Sequence, residues 1–126
     1  MGLTQAFRNH VASVAAGGVV TAFNAANAHI GVGDSATAFA SSQTDLQAAT
    51  NKLRKPMAAG YPTVAANVLT FRAVFAPGEA NHAWAEWAVF NGASGATMLN
   101  RKVEALGTKT SAQAWEITVT LTLAVS

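Results

Sequence analysis

The chain contains no cysteine, which removes disulfide frameworks, thiolate chemistry and cysteine-based metal sites together. Charge is the second scarcity: Asp, Glu, Lys and Arg make up only 11% of 126 residues, with a net charge of +2. So few titrating groups form no basic patch, and nucleic-acid binding finds little support. A surface this poor in charge is expected to be covered in part by partners. Long apolar runs are also missing. Arg8, the weakly apolar stretch from Val11 to Phe23 and then Ala26-Asn27-Ala28 imitate a secretory signal with its cleavage site. Gly17, Gly18, Asn24 and Asn27 make that stretch too polar and broken for a membrane span, and it reads as mature structure.

What is present is apolar and small. Hydrophobic residues are 51% of the chain, many of them alanine, enough to bury the core of one domain. The dominant pattern has a period of two. Val68 to Phe75 alternates, with Leu69, Phe71, Ala73 and Phe75 on one side. The last strand sets Trp115, Ile117, Val119, Leu121, Leu123 and Val125 against Glu116, Thr118, Thr120, Thr122 and Ala124. Shorter strands are expected at Val19–Phe23 and from His29 to Gly33, and Leu106–Ser111 reads as turn-rich. Alternating strands separated by turn signals predict a mainly β fold, an antiparallel β-sandwich with one or two short peripheral helices. Residues 30–126 form the sandwich. Residues 1–29 form an arm that docks on the core or on a neighbour.

Two helices are expected. Leu3, Phe7, Val11 and Val14 recur at helical spacing behind Thr4, a suitable cap, and Gly17-Gly18 ends the segment. So short a stripe is marginal alone and must dock, which makes these four residues candidate partner contacts. The second helix runs from Ser42, with Leu46, Ala49 and Leu53 on one face and Pro56 as its stop. It places Lys52, Arg54 and Lys55 in the last turn, where cations suit the dipole. That trio is the only basic cluster: a solvated helix end, or a contact for an acidic partner.

The most informative stretch is Ala83-Trp84-Ala85-Glu86-Trp87-Ala88-Val89-Phe90, returning through Thr97–Val103 after Asn91-Gly92. Both faces of the first strand are apolar, which predicts a central strand with Trp84, Glu86, Ala88 and Phe90 on one side. Glu86 is the anomaly. A buried carboxylate needs a cation or backbone donors, and Arg101 or Arg72 is the expected partner. Catalysis would require a second acid or a nucleophile beside it. Other chemistry is thin. Gly31-Val32-Gly33-Asp34 lacks the third glycine and the helix of a nucleotide loop. His10, His29 and His82 lie apart, and along a strand His82 and Glu86 would stand about 13 Å from each other. No metal site, cofactor or nucleophile motif is expected.

The strings Ile30-Gly31-Val32-Gly33-Asp34-Ser35, Thr44-Asp45-Leu46, Arg54-Lys55-Pro56, Leu69-Thr70-Phe71, Glu79-Ala80-Asn81, Trp84 to Asn91 and Met98-Leu99-Asn100-Arg101 resemble small virion proteins of tailed bacteriophages. The likeness runs from about Ile30 to Thr122; the first 29 residues carry no such signature. The resemblance implies a virion structural protein without catalytic activity, labelled in such families as tail-fibre or collar-like. Ending directly after its last core strand, the chain is expected to be a compact module, which favours a capsid decoration (cement) protein over a fibre shaft. The expected partners are the major capsid protein and further copies of the chain, a trimer by preference. A tail module at the collar, baseplate or fibre attachment, partnered by a tail or baseplate protein, is the alternative. Neither nucleic acid nor membrane is an expected partner.

Overall fold

The computed structural model describes residues 2–124. Chain order gives β1 (Gly2–Leu3), α1 (Gln5–Ala15), β2 (His29–Gly33), β3 (Lys52–Pro56), β4 (Thr63–Ala65), β5 (Val68–Phe75), β6 (Ala83–Phe90), β7 (Asn100–Thr108) and β8 (Trp115–Thr122). All pairings are antiparallel. They build a five-stranded sheet, β1-β7-β6-β2-β3, facing a three-stranded sheet, β4-β5-β8. This is the β-sandwich with a short helix that the alternation predicts.

Two-residue periodicity drives the packing. Phe71, Ala73 and Phe75 of β5 and Val119 and Leu121 of β8 turn inward to meet Ile30, Val32, Trp87, Val89 and Leu99 of the larger sheet. Phe75 and Trp115 both meet Trp84 edge-on, at centroid distances of 4.9 and 5.0 Å. The threonines of β8 point outward and are exposed. Val125, assigned to this strand by alternation, lies outside the described residues.

One face of β6 departs from simple alternation. The register against β7 shifts between Trp84 and Glu86. The break swings Trp84 to the side of Trp87 and Val89, so both tryptophans enter the inter-sheet core. Glu86, Ala88 and Phe90 stay on the opposite face, where Ala88 and Phe90 cluster with Leu46 and Met98. Sequence parity alone groups Trp84 with Glu86.

That opposite face is covered by the chain between β2 and β3, and here the expected second helix is absent. Residues 42–51 form turns and bends, and Lys52–Pro56 is an edge strand paired with β2. The segment instead presses Leu46 and Ala48 onto the sheet, both buried. Val19–Phe23 is not a strand either; Phe23 packs edge-on against Phe7 and Phe71. Conversely β7 continues to Thr108, through part of the stretch read as turn-rich.

Candidate functional site

Glu86 and Arg101 sit together at the centre of the larger sheet. Arg101 lies two residues before Val103, which faces Glu86 across the β6–β7 pair, so the two side chains share a face. Both are fully buried, and Arg101 Nε donates to Glu86 Oε1 at 2.7 Å. The other donors to the carboxylate are backbone. Gln47 N–H reaches Oε1 at 2.8 Å and Ala48 N–H reaches Oε2 at 2.9 Å, with Ser35 N–H longer at 3.4 Å. Arg101 Nη1 donates onward to Thr37 O at 2.8 Å and Gln43 Oε1 at 3.2 Å. Its Nη2 makes no hydrogen bond among the described residues. Glu86 and Arg101 thus clamp residues 35–48 onto β6 and β7.

The glycines of β2 make room for this clamp. Gly33 pairs with Glu86 in register, and a Cβ there would stand 2.3 Å from Oε2. At Gly31 it would stand 2.8 Å from the Phe90 ring. The Gly-x-Gly-Asp stretch is therefore a floor for side chains from the neighbouring strand, with no phosphate cradle needed to explain it.

Arg72 is not a partner of Glu86. It projects from the outer face of β5 and pairs diagonally with Glu116 of β8, two residues from the facing Thr118, with Tyr61 Oη at 3.4 Å. The parity of β5 accounts for this: Phe71 and Ala73 point inward, so Arg72 points out.

The basic trio is dispersed as well. Lys52 and Arg54 both bind Asp45 at 3.1 Å, and Lys55 binds Glu79 at 2.7 Å. Alternation along β3 explains the separation, since Lys55 leaves on the face opposite to Lys52 and Arg54. Arg54 also lies over the Phe90 ring, 3.5 Å from its centroid, and donates to the carbonyls of Gly92 and Gly95. With its charges satisfied inside the chain, the trio offers no free cationic patch.

The stripe of the N-terminal helix divides. Leu3, in β1, pairs with Asn100 and packs on the core, and Phe7 is 5% exposed within it. Thr4 caps α1 by accepting from Phe7 N–H, while its own hydroxyl donates to Met98 O. Val11 and Val14 remain 41% and 52% exposed. They border an apolar groove of about 570 Å³ between α1 and the smaller sheet, lined also by Phe23, Val64, Leu69 and Leu123.

Groups near in sequence separate in space. Glu79 binds Lys55, His82 Nδ1 meets Ala83 O at 2.8 Å, and Glu86 is in the clamp. Among the described residues no cluster of three His, Asp or Glu side chains is placed to hold a metal. Lys109 carried no sequence signal beyond a lone cation in an apparent turn. It is buried, donating to Ala76 O and Asn81 Oδ1, both at 2.8 Å, and so fixes the β5–β6 loop.

Burial pushes the Asp45 carboxyl up, but hydrogen bonds from Arg54, Lys52 and Leu46 N–H outweigh it and hold the group below its ordinary value. Lys55 and Ala76 N–H hold Glu79 down likewise. A carboxyl depressed in the folded state stabilises above its unfolded pKa, and that contribution is lost as pH falls through the folded value. Below about pH 4, amide exchange over residues 42–51, corrected for intrinsic rates, is expected to rise while β2 and β6 stay protected. Unchanged protection at pH 3 would show that Asp45 does not hold this segment.

Comparison with known protein families, with curated proteins and with solved structures finds no match to this chain.

Proposed function

We propose that the protein is a non-enzymatic structural component of a tailed-phage virion, a capsid decoration protein that binds the capsid surface as a homo-oligomer. The observation that carries the reading is the use made of Glu86. Its two oxygens are taken by Arg101 and by the backbone of the segment that covers the sheet, so this deeply buried carboxylate serves as a clamp. The stretches that most resemble phage virion proteins, Trp84–Asn91 and Met98–Arg101, bring the two partners of that clamp together. The surface offered to the particle is the end of the sandwich where Val11, Val14 and Val64 are exposed. A tail module would use the same surface.

The test is binding of purified protein to capsids that lack it and to isolated tails, read by co-sedimentation. Saturable binding to capsids at many copies per particle is expected, weakened at least tenfold by Val11→Glu/Val14→Glu. Binding confined to tails would select the tail module. Binding to neither would overturn the virion reading.

A further inference from the structure

The sandwich has several strand edges, and all but one are guarded. An open edge presents unpaired backbone N–H and C=O groups and recruits further strands unless charge, proline, irregularity or shortness prevents it. On the larger sheet, β3 carries Lys52, Arg54, Lys55 and Pro56. At the other side β1 is two residues long, and β7 beyond it is broken by the register shift and by Gly107 at φ +107°. On the smaller sheet β4 has three residues and pairs with β5 only as far as Thr70; beyond it Ala58 N–H donates to Arg72 O at 2.8 Å, which leaves only a short stretch of β5 open. The remaining edge is β8. Its eight residues all stay in register with β5, and it contains no proline, glycine, lysine or arginine. Its single charge, Glu116, is already paired with Arg72.

The direction of the free backbone groups follows from the register. Leu123 N–H donates to Asn67 O at 2.8 Å, continuing the β5–β8 ladder by one pair. Hydrogen-bonded pairs alternate in an antiparallel ladder, so Trp115, Ile117, Val119 and Leu121 spend their backbone groups on β5. Glu116, Thr118, Thr120 and Thr122 aim theirs outward, where no described strand pairs with them.

We infer that β8 is a self-pairing edge: two copies of this chain join antiparallel along it, about a two-fold axis through Val119. The sequence is palindromic in character about that residue. In this register Thr118 faces Thr120 of the second copy and Glu116 faces Thr122, and every outward N–H and C=O of the strand finds a partner. The inward row matches as well, with Val119 against Val119, Ile117 against Leu121 and Trp115 against Leu123. No like charges meet. Sliding the register by two residues in either direction takes one outward residue of each copy past the end of the facing strand. The pairing also covers apolar surface that the monomer leaves open. Leu123 is 48% exposed, and a hollow of about 450 Å³ lies at the seam of the sheets beside Trp84, Leu106, Trp115 and Ile117. Leu123 of the second copy falls opposite Trp115, at that hollow. The occupant is a second copy because the strand complements itself in both rows, which an isologous contact requires. A closed two-fold pair takes the place of the three-fold association expected from composition.

The inference rests on β8 alone and stands or falls apart from the virion reading. The purified full chain is expected to sediment at twice the 12.9 kDa chain mass, and to do so equally in ~0.5 M salt, where exposed charge pairs are screened. Thr120→Pro removes an outward N–H and spares the bonds to β5, a substitution an edge strand tolerates. It is expected to give the single-chain mass with an unchanged far-ultraviolet circular dichroism spectrum. Should that variant fail to fold, a complementary pair decides. Thr118→Lys/Thr120→Lys and Thr118→Glu/Thr120→Glu should each weaken self-association at least tenfold, and mixed together should form a 1:1 heterodimer. A parent protein that stays at single-chain mass at high micromolar concentration would overturn the inference. So would a trimer, or any oligomer that survives these variants.

Discussion

Glu86→Gln is expected to lower the thermal midpoint by on the order of 10 °C or more, far beyond what its conservative shape suggests. Removing one partner of a buried ion pair typically costs about 3–5 kcal/mol, because the other charge stays behind without compensation. Here the cost has three parts. Arg101, fully buried, loses the acceptor at 2.7 Å that neutralises it. The N–H groups of Gln47 and Ala48 converge on both carboxylate oxygens, so an amide nitrogen in either position opposes a donor with a donor. Rotating the amide away is blocked by the β2 backbone, which approaches closely enough that Gly33 has no room for a Cβ. The control is Arg72→Ala, which breaks an exposed pair on the outer face of β5 and should barely move the midpoint. Equal melting of the two variants, within a degree or two of the parent, would refute the clamp.

Which parts of this arrangement were legible in the sequence follows from how local their causes are. The alternation of β5 and β8 survives in the structure because each strand has one face on a continuous core, and the pattern is written residue by residue. Glu86 was conspicuous for the same reason, a charge in an apolar row. The choice between Arg101 and Arg72 was open at that level, since it depends on which strands are neighbours: Arg101 lies on the strand beside β6, Arg72 in the other sheet. The helix expected from Ser42 failed because its apolar spacing of Leu46, Ala49 and Leu53 fits two structures. Leu46 and Leu53 are held by the sheet, and Asp45 is drawn to Lys52 and Arg54 across the segment rather than to a helical N-terminus. The register shift beside Trp84 left no local trace. Within β6 no glycine or proline marks it; the glycine lies on the facing strand, Gly107 opposite Trp84 at φ +107°, and Phe75 and Trp115 supply the rings that Trp84 meets between the sheets.

The N-terminal arm gives the second large effect. Phe7→Ala is expected to destabilise the fold by about 3–5 kcal/mol, the usual cost of emptying a buried phenylalanine site. Phe7 belongs to the inter-sheet core although it lies in the N-terminal arm, ahead of the stretch expected to form the sandwich. Its ring meets Phe23 edge-on at 5.6 Å and stacks near His10 at 5.9 Å, and Phe23 in turn meets Phe71 of β5. The backbone beside it is equally committed: β1 pairs with the start of β7 next to Arg101, and Thr4 N–H donates to Leu99 O at 3.1 Å. A helix whose apolar stripe is this short gains its stability from such docking, and the core gains a wall in return. Val14→Ser supplies the contrast, since Val14 sits on the same stripe and is half exposed. It should leave stability within about 0.5 kcal/mol of the parent, as surface substitutions usually do. Deleting residues 1–16 should leave no cooperatively folded sandwich, because it removes β1, the cap and Phe7 together. Urea denaturation of the three variants reads all of this, and a deletion protein that unfolds cooperatively at the parent midpoint would show that the arm is dispensable to its own core.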